Sequence, residues 1–134
     1  MASWLFKTDP DTWAIDALET SKRATWDGVA NNTALMHLRR VAPGDEVLIY
    51  HSGGDKAVMG IARAVSGAYA DPKLKDPKLV VVDIEFVKRL KTPVPLAAVK
   101  AEPRLKTFDL VRISRLSVMP VSAEHRGLLK TLGV

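Results

Sequence analysis

The sequence predicts an α+β fold with a curved or barrel-like sheet, and three observations carry that prediction. Short helical stretches interleave with about five or six strands. Several of those strands are joined by tight turns. The regular alternation of strand and helix that a parallel, doubly wound sheet requires is missing. With 134 residues, the chain has the length of one domain, long enough to bury roughly two thirds of its unfolded surface in one core. Residues 1–134 are therefore read as a single unit.

The elements follow in order. Ser3 to Lys7 alternates, with Trp4 and Phe6 on one side, and reads as a short strand that Thr8-Asp9-Pro10-Asp11 breaks. Trp4 is core or pocket lining. Ile15 and Leu18 suggest a short helix ending near Thr20 or Ser21, with Trp13 as helix packing or surface. Trp26 follows on an apparent loop, directly before Asp27-Gly28 and a pair of asparagines. The clearest helix runs from about Asn32 to Arg40, with Ala34, Leu35, Leu38 and Val41 on one stripe and an asparagine as N-cap, and Pro43-Gly44-Asp45 stops it. Glu46 to His51 is a continuous apolar run of the central-strand kind, and Ser52-Gly53-Gly54-Asp55 turns it into a second arm from Lys56 to Ser66. Gly60 in that arm signals a bulge or a close backbone approach.

Residues 71–79 repeat DPKL around one lysine and read as a surface loop. Leu79 to Lys88 returns to strand and Thr92-Pro93-Val94-Pro95 ends it. Pro95 suits the first turn of a helix through Ala101, Arg115 to Met119 forms another strand, and Ser122 caps a last helix through Leu132.

Composition narrows the function classes. Lys and Arg outnumber Asp and Glu by 20 to 15, for a net charge of +5 and a pI near 9.6, which favours polyanionic partners. Between Lys88 and Arg115 the basic residues Lys88, Arg89, Lys91, Lys100, Arg104, Lys106, Arg112 and Arg115 face only Glu102 and Asp109. That stretch is a phosphate-tracking face or an ordinary solvated surface. The absence of cysteine excludes disulfides and thiol chemistry and agrees with a reducing cytosol. No apolar run approaches a membrane span and no leader is read at the N-terminus, so a cytoplasmic monomer with no membrane partner is expected. No glycine-rich phosphate loop or nucleophile elbow is found, and His37, His51 and His125 lack metal-ligand spacing. No cofactor and no metal are expected.

Five segments together resemble one family. WLFKTDP at 4–10, TWDGVANNTALMHLR at 25–39, PGDEVLIYHSG at 43–53, VMGIARAV at 58–65 and SRLSVMPVS at 114–122 look like an EVE domain, a branch of the PUA-like superfamily related to YTH domains. The likeness runs in order over essentially the whole chain. It implies a PUA-like pseudo-barrel of five or six mostly antiparallel strands flanked by short helices, and a reader of modified bases, particularly modified cytosine. Family members commonly line the base pocket with Trp-Asp-Gly-Val-Arg-Asn. Here Trp26, Asp27, Gly28, Val29 and Asn31 match, and Ala30 replaces the arginine. Asn32 and Leu35 also depart from the tyrosine or proline and the arginine of many relatives. Carried over beside Trp26 are Lys7, Thr8 and Pro10, then Tyr50, His51 and Ser52, then Arg115, Leu116 and Ser117.

A base held out of its helix offers two apolar faces and a polar edge. Trp26 can provide the stacking ring, worth about 1–3 kcal/mol. Thr8, Asn31, Ser52 and Ser117 are short enough for edge contacts, Tyr50, His51 and Leu116 complete the expected pocket, and Lys7 and Arg115 are the candidates for phosphate. A loop ring facing a cavity supports few core contacts, so Trp26 is expected to matter little to the fold. Structural roles stand beside these. Tyr50 can cap the barrel, His51 can satisfy a turn, Asn31 can be only an N-cap, and Arg115 can pair with Asp109. The expected function is non-catalytic binding of a modified nucleobase in DNA or RNA through an aromatic pocket. The alternatives are an enzyme acting on a nucleotide or modified base through His51 and a carboxylate, and a protein-interaction module with a vestigial pocket. A deep, polar-edged cavity at Trp26 would favour the reader and a filled one the interaction module.

Overall fold

The computed structural model describes residues 1–134. Strands β1 (Ser3–Thr8), β2 (Arg23–Trp26), β3 (Glu46–His51), β4 (Ala57–Ala64), β5 (Tyr69–Ala70), β6 (Val80–Pro95) and β7 (Val118–Val121) alternate irregularly with helices α1 (Ile15–Ser21), α2 (Asn32–Leu38), α3 (Leu96–Ala101), α4 (Asp109–Arg112) and α5 (Ala123–Thr131). The fold is α+β, with a seven-stranded, mostly antiparallel open sheet in the order β2-β6-β4-β3-β1-β7, and β5 pairing with β6 off that path. Only β1 and β3 run parallel, Ser3 opposite Glu46 through Thr8 opposite His51.

The sheet curls. From β2 to β1 the path takes four strand-to-strand steps, which at about 4.8 Å each would separate them by roughly 19 Å in a flat sheet. Yet the ring of Phe6 on β1 lies 5.1 Å, centroid to centroid, from the ring of Trp26 on β2. Strand twist accumulated over the path brings the two regions together. Helix α2 packs against both β6 and β7 and so spans the side on which the ladder stays open. Beneath it, 37 buried hydrophobic residues form one cluster.

Several elements follow from local chemistry. Asn31 caps α2, its Oδ1 accepting from the Ala34 N–H at 3.0 Å, and Ser122 caps α5 by accepting from the His125 N–H at 3.1 Å. The hairpin between β3 and β4 forms as expected. Gly60 serves both expected purposes. The register shifts beside it in both flanking ladders, and a Cβ there would overlap Ile15 Cδ1 and stand 2.7 Å from the Lys88 carbonyl oxygen. That contact seats α1 on the sheet.

The structure corrects three expectations. Trp26 is not on a loop: it ends β2, paired opposite Val82, and is 7% exposed within the core. Arg23–Trp26 is too short, with too few apolar residues, to announce itself as a strand; long-range pairing with β6 makes it one. The proline-rich stretch does not end β6. Gly60 pairs with Arg89 and Val58 with Val94, so residues 90–93 loop out opposite Met59 alone. Pro93 sits where no ladder hydrogen bond is required, and the strand resumes through Pro95. The strand expected at Arg115–Met119 begins at Val118, because Ser114 and Arg115 form a turn, and it tolerates Pro120 as an edge strand paired only to β1. The short elements β5, α4 and the 3-10 turn Pro103–Leu105 were not foreseen.

Candidate functional site

A cavity of about 690 Å³ opens where the ends of β1 and β2 converge, inside the usual size range for small-molecule pockets. Lys7 and Thr8 come from the end of β1, Thr12 and Trp13 from the turn after it, Trp26 and the Asp27–Ala30 segment from the end of β2, Ser117 from the approach to β7, and Lys73 from the DPKL loop. Two turns shape the walls. After β1, the Asp9 carbonyl accepts from Thr12 and Trp13 at 3.0 and 2.9 Å, and the Thr8 hydroxyl donates to the Trp13 carbonyl at 2.8 Å. After β2, Gly28 adopts φ +75°, a left-handed conformation that favours glycine.

The aromatic groups form a corner. The Trp13 and Trp26 rings meet edge-on, with centroids 5.3 Å apart and planes at 86°, and Phe6 tilts against Trp26 from the core. The Trp26 indole N–H has no protein acceptor. The only buried side-chain nitrogens without partners are His37 Nδ1 and Arg126 Nη1, so the Trp26 N–H is reachable by solvent. Trp13, read as helix packing or surface, is half-buried on the cavity wall. Nothing in its local pattern distinguishes those roles.

The charged lining is mixed, Lys7 and Lys73 against Asp9 and Asp27, with no ion pair between them. Lys7 is half-buried and donates from Nζ to the Ser114 carbonyl at 2.7 Å, with Nζ 5.8 Å from the centre of the Tyr50 ring. It has no carboxylate partner among the ion pairs of the chain. Burial lowers its pKa, because the low-dielectric wall disfavours the ammonium. An anion entering the cavity would provide the missing counter-charge. Lys73 also lacks an ion-pair partner.

Of the ten site residues read from the sequence, Lys7, Thr8, Trp26 and Ser117 line this cavity. Asn31, Tyr50, His51, Ser52, Leu116 and Arg115 lie outside its lining. Asn31 commits Oδ1 to the α2 cap and keeps its amide NH₂ uncommitted. Tyr50 is 2% exposed, and burial raises its pKa. His51 is buried too: its Nε2 accepts from the Ile15 N–H at 3.1 Å and its Nδ1 lies 2.9 Å from Asp55 Oδ2. Both ring nitrogens are thus engaged, the N–H on Nδ1, and no free lone pair faces a substrate. Ser52 donates to the Thr8 carbonyl at 3.3 Å, and Leu116 is core. Arg115 is exposed on the turn that receives Lys7, and Asp109 pairs with Arg112 instead.

The basic stretch from Lys88 to Arg115 does not gather at this cavity. Arg89 binds Asp16 and Glu19, Arg104 binds Glu102 and Arg112 binds Asp109. None of the eight cations lines its walls.

The fold has relatives of solved structure. The chain is similar in structure to Rpa0253 of Rhodopseudomonas palustris, with 44% identity, a TM-score of 0.93, and coverage of 99% of this chain and 93% of that one. It is similar to human THYN1 protein solved in complex with DNA containing 5-methylcytosine, with 28% identity, a TM-score of 0.90, and coverage of 99% and 98%. In sequence it is 30% identical to human thymocyte nuclear protein 1 over 96% of this chain and 72% of that protein. The pattern that defines the EVE domain matches residues 2–131, and the chain belongs to the EVE domain family.

Proposed function

We propose that this protein is a non-catalytic reader of a modified nucleobase, modified cytosine in the first instance, in DNA or RNA. The observation that carries the reading is the cavity itself, about 690 Å³ with a tryptophan corner and a half-buried lysine that lacks a counter-ion. A flat base stacks on one ring of such a corner and meets the other edge-on. Stacking contributes about 1–3 kcal/mol. Lys7, Thr8, Ser117 and the free Trp26 N–H offer donors and acceptors for the base edge or a neighbouring phosphate. A DNA complex of a relative that contains 5-methylcytosine supports nucleic acid as the partner. Burying one extra methyl adds only about 0.8 kcal/mol, so discrimination rests mainly on cavity shape and edge pairing.

Against an enzyme acting through His51 stands the engagement of both its ring nitrogens by Ile15 and Asp55. Against a vestigial pocket stands the open volume at Trp26.

The test compares oligonucleotides that differ only in one cytosine, modified or unmodified, by fluorescence anisotropy with the wild type and Trp13→Ala. The expected outcome is tighter binding of the modified strand, a loss of about 5- to 150-fold in Trp13→Ala as one stacking contact goes, and an unchanged oligonucleotide mass after incubation. Equal affinity for both strands would remove the reader assignment, and turnover abolished by His51→Ala would replace it with the enzyme.

A further inference from the structure

The repeated segment DPKLKDPKL, residues 71–79, is a built loop. In each copy the aspartate closes the same turn: Asp71 Oδ1 accepts from the Lys73 N–H and Asp76 Oδ1 from the Lys78 N–H, both at 2.9 Å. The Leu74 and Leu79 N–H groups donate to the Asp71 and Asp76 carbonyls, both at 3.1 Å. Its stem is paired, Tyr69–Ala70 against Val81–Val80, and the Asp71 N–H donates to the Leu79 carbonyl at 3.0 Å. Asp71 is buried, and Arg39 at the end of α2 donates to the Lys78 carbonyl at 2.8 Å. The backbone is therefore held at its base, within each turn and against a helix.

What this scaffold presents is three exposed lysines, Lys73, Lys75 and Lys78, none of them in an ion pair. The turns hold their aspartates on the backbone N–H groups, and neither carboxylate forms an ion pair with a lysine of the loop. Lys73 reaches the wall of the cavity that holds Trp13 and Trp26. A nucleotide whose base enters that cavity must bring its flanking phosphodiesters to the rim, where a lysine acts as a point charge with three donors.

We infer that the 71–79 loop is a phosphate clamp, in which Lys73, followed by Lys75 and Lys78, binds phosphodiester oxygens of the strand next to the base in the cavity. The inference rests on the base-reading function and adds the path of the strand: it leaves the cavity along this loop. Each lysine that neutralises a phosphate contributes about 0.7–0.9 to the slope of log affinity against log salt.

The experiment measures that slope for the wild type, Lys73→Ala, the triple variant K73A/K75A/K78A and a control, K100A/K106A/K130A, which removes the same charge elsewhere. Each is titrated with an oligonucleotide carrying one 5-methylcytosine, its unmodified counterpart, and free 5-methyl-2′-deoxycytidine. Lys73→Ala is expected to lower the slope by about one and the triple variant by two to three. The control should lower it by less, the nucleoside affinity should hold, and melting temperatures should match the wild type. A triple variant with the wild-type slope overturns the clamp, as does a control that lowers the slope equally, since net charge then suffices. Nucleoside binding that weakens in step with oligonucleotide binding overturns it as well, because Lys73 then contacts the base. Salt-sensitive binding that the triple variant loses, without preference for the modified strand, upholds the clamp and rejects the base-reading function. Absence of oligonucleotide binding by the wild type rejects both.

Discussion

The two ends of strand β1 each meet a buried tryptophan, and they treat its polar atom differently. At the Ser3 end the Trp4 indole N–H donates to Asp45 Oδ2 at 2.9 Å, and Asp45 also accepts from the Ala2 and Ala42 N–H groups. Glu46 beside it holds Arg126 and Ser3. This end has the larger concavity, about 880 Å³, but its carboxylates are spent on the fold, Glu46 with Arg126 and Asp109 with Arg112, and His125 faces Thr107, which leaves, of its charged side chains, only the exposed Arg40 and Lys130 without partners. The two buried nitrogens that go unbonded, on His37 and Arg126, are sealed from solvent. At the Thr8 end the unbonded groups, among them the Trp26 N–H, the ammonium of Lys73 and the carboxylate of Asp27, are reachable. Concave volume alone does not mark a site. Polar groups held in place without partners, where a ligand can reach them, do.

The largest test of this contrast concerns what both tryptophans share. Trp26 is packed by Phe6 and Trp13 within the core, so Trp26→Ala should destabilise the fold by about 3–5 kcal/mol in chemical denaturation. A cost below about 1 kcal/mol would return the ring to the loop role read from the sequence. Loss of affinity in that variant therefore reports on folding as well as on binding.

Conservative replacements separate the two ends more finely. Trp4→Phe and Trp26→Phe lose similar core volume, but only the first takes a hydrogen bond from a buried carboxylate. Trp4→Phe should cost about 1.5–3 kcal/mol more stability than Trp26→Phe, and only Trp26→Phe should weaken oligonucleotide binding. Equal stability losses would mean that the Asp45 contact is energetically idle. A smaller effect is expected at Lys7. Lys7→Met keeps the stem that packs the wall and removes the charge, so stability should stay within about 0.5 kcal/mol. The salt slope of binding should fall by about one, and an unchanged slope would remove Lys7 from the phosphate contacts.

The ends should also differ in acid. Burial alone would raise the Asp45 and Glu46 pKa values. The backbone and Trp4 N–H groups on Asp45, and Arg126 with Ser3 on Glu46, outweigh it and hold both below their usual 3.8 and 4.5. A carboxylate depressed on folding contributes stability that is complete above its unfolded value and lost as pH falls through the folded one. Stability should thus decline below about pH 4.5, and Glu46→Gln should flatten that decline at the expense of lower stability at neutral pH. Identical acid limbs for the wild type and Glu46→Gln would show that other carboxylates govern it.

Most of the elements were legible because they rest on local chemistry. Proline and glycine punctuated the chain at Pro10, Pro43-Gly44 and Gly53-Gly54, Asn31 and Ser122 capped α2 and α5, and apolar runs marked β1, β3 and β4. Gly60 marks a close approach whose partner, Ile15, only the fold supplies. Local sequence also determined that this chain has no thiol chemistry, and its motifs pointed to the family. Tertiary structure alone decided β2 and the route of β6 past Pro93, because both exist through pairing with strands distant in sequence. It decided which residues share the cavity as well. Thr8, Trp13, Trp26, Lys73 and Ser117 meet only because the sheet curls until the ends of β1 and β2 converge, and the accumulated twist of seven strands is not written in any one of them.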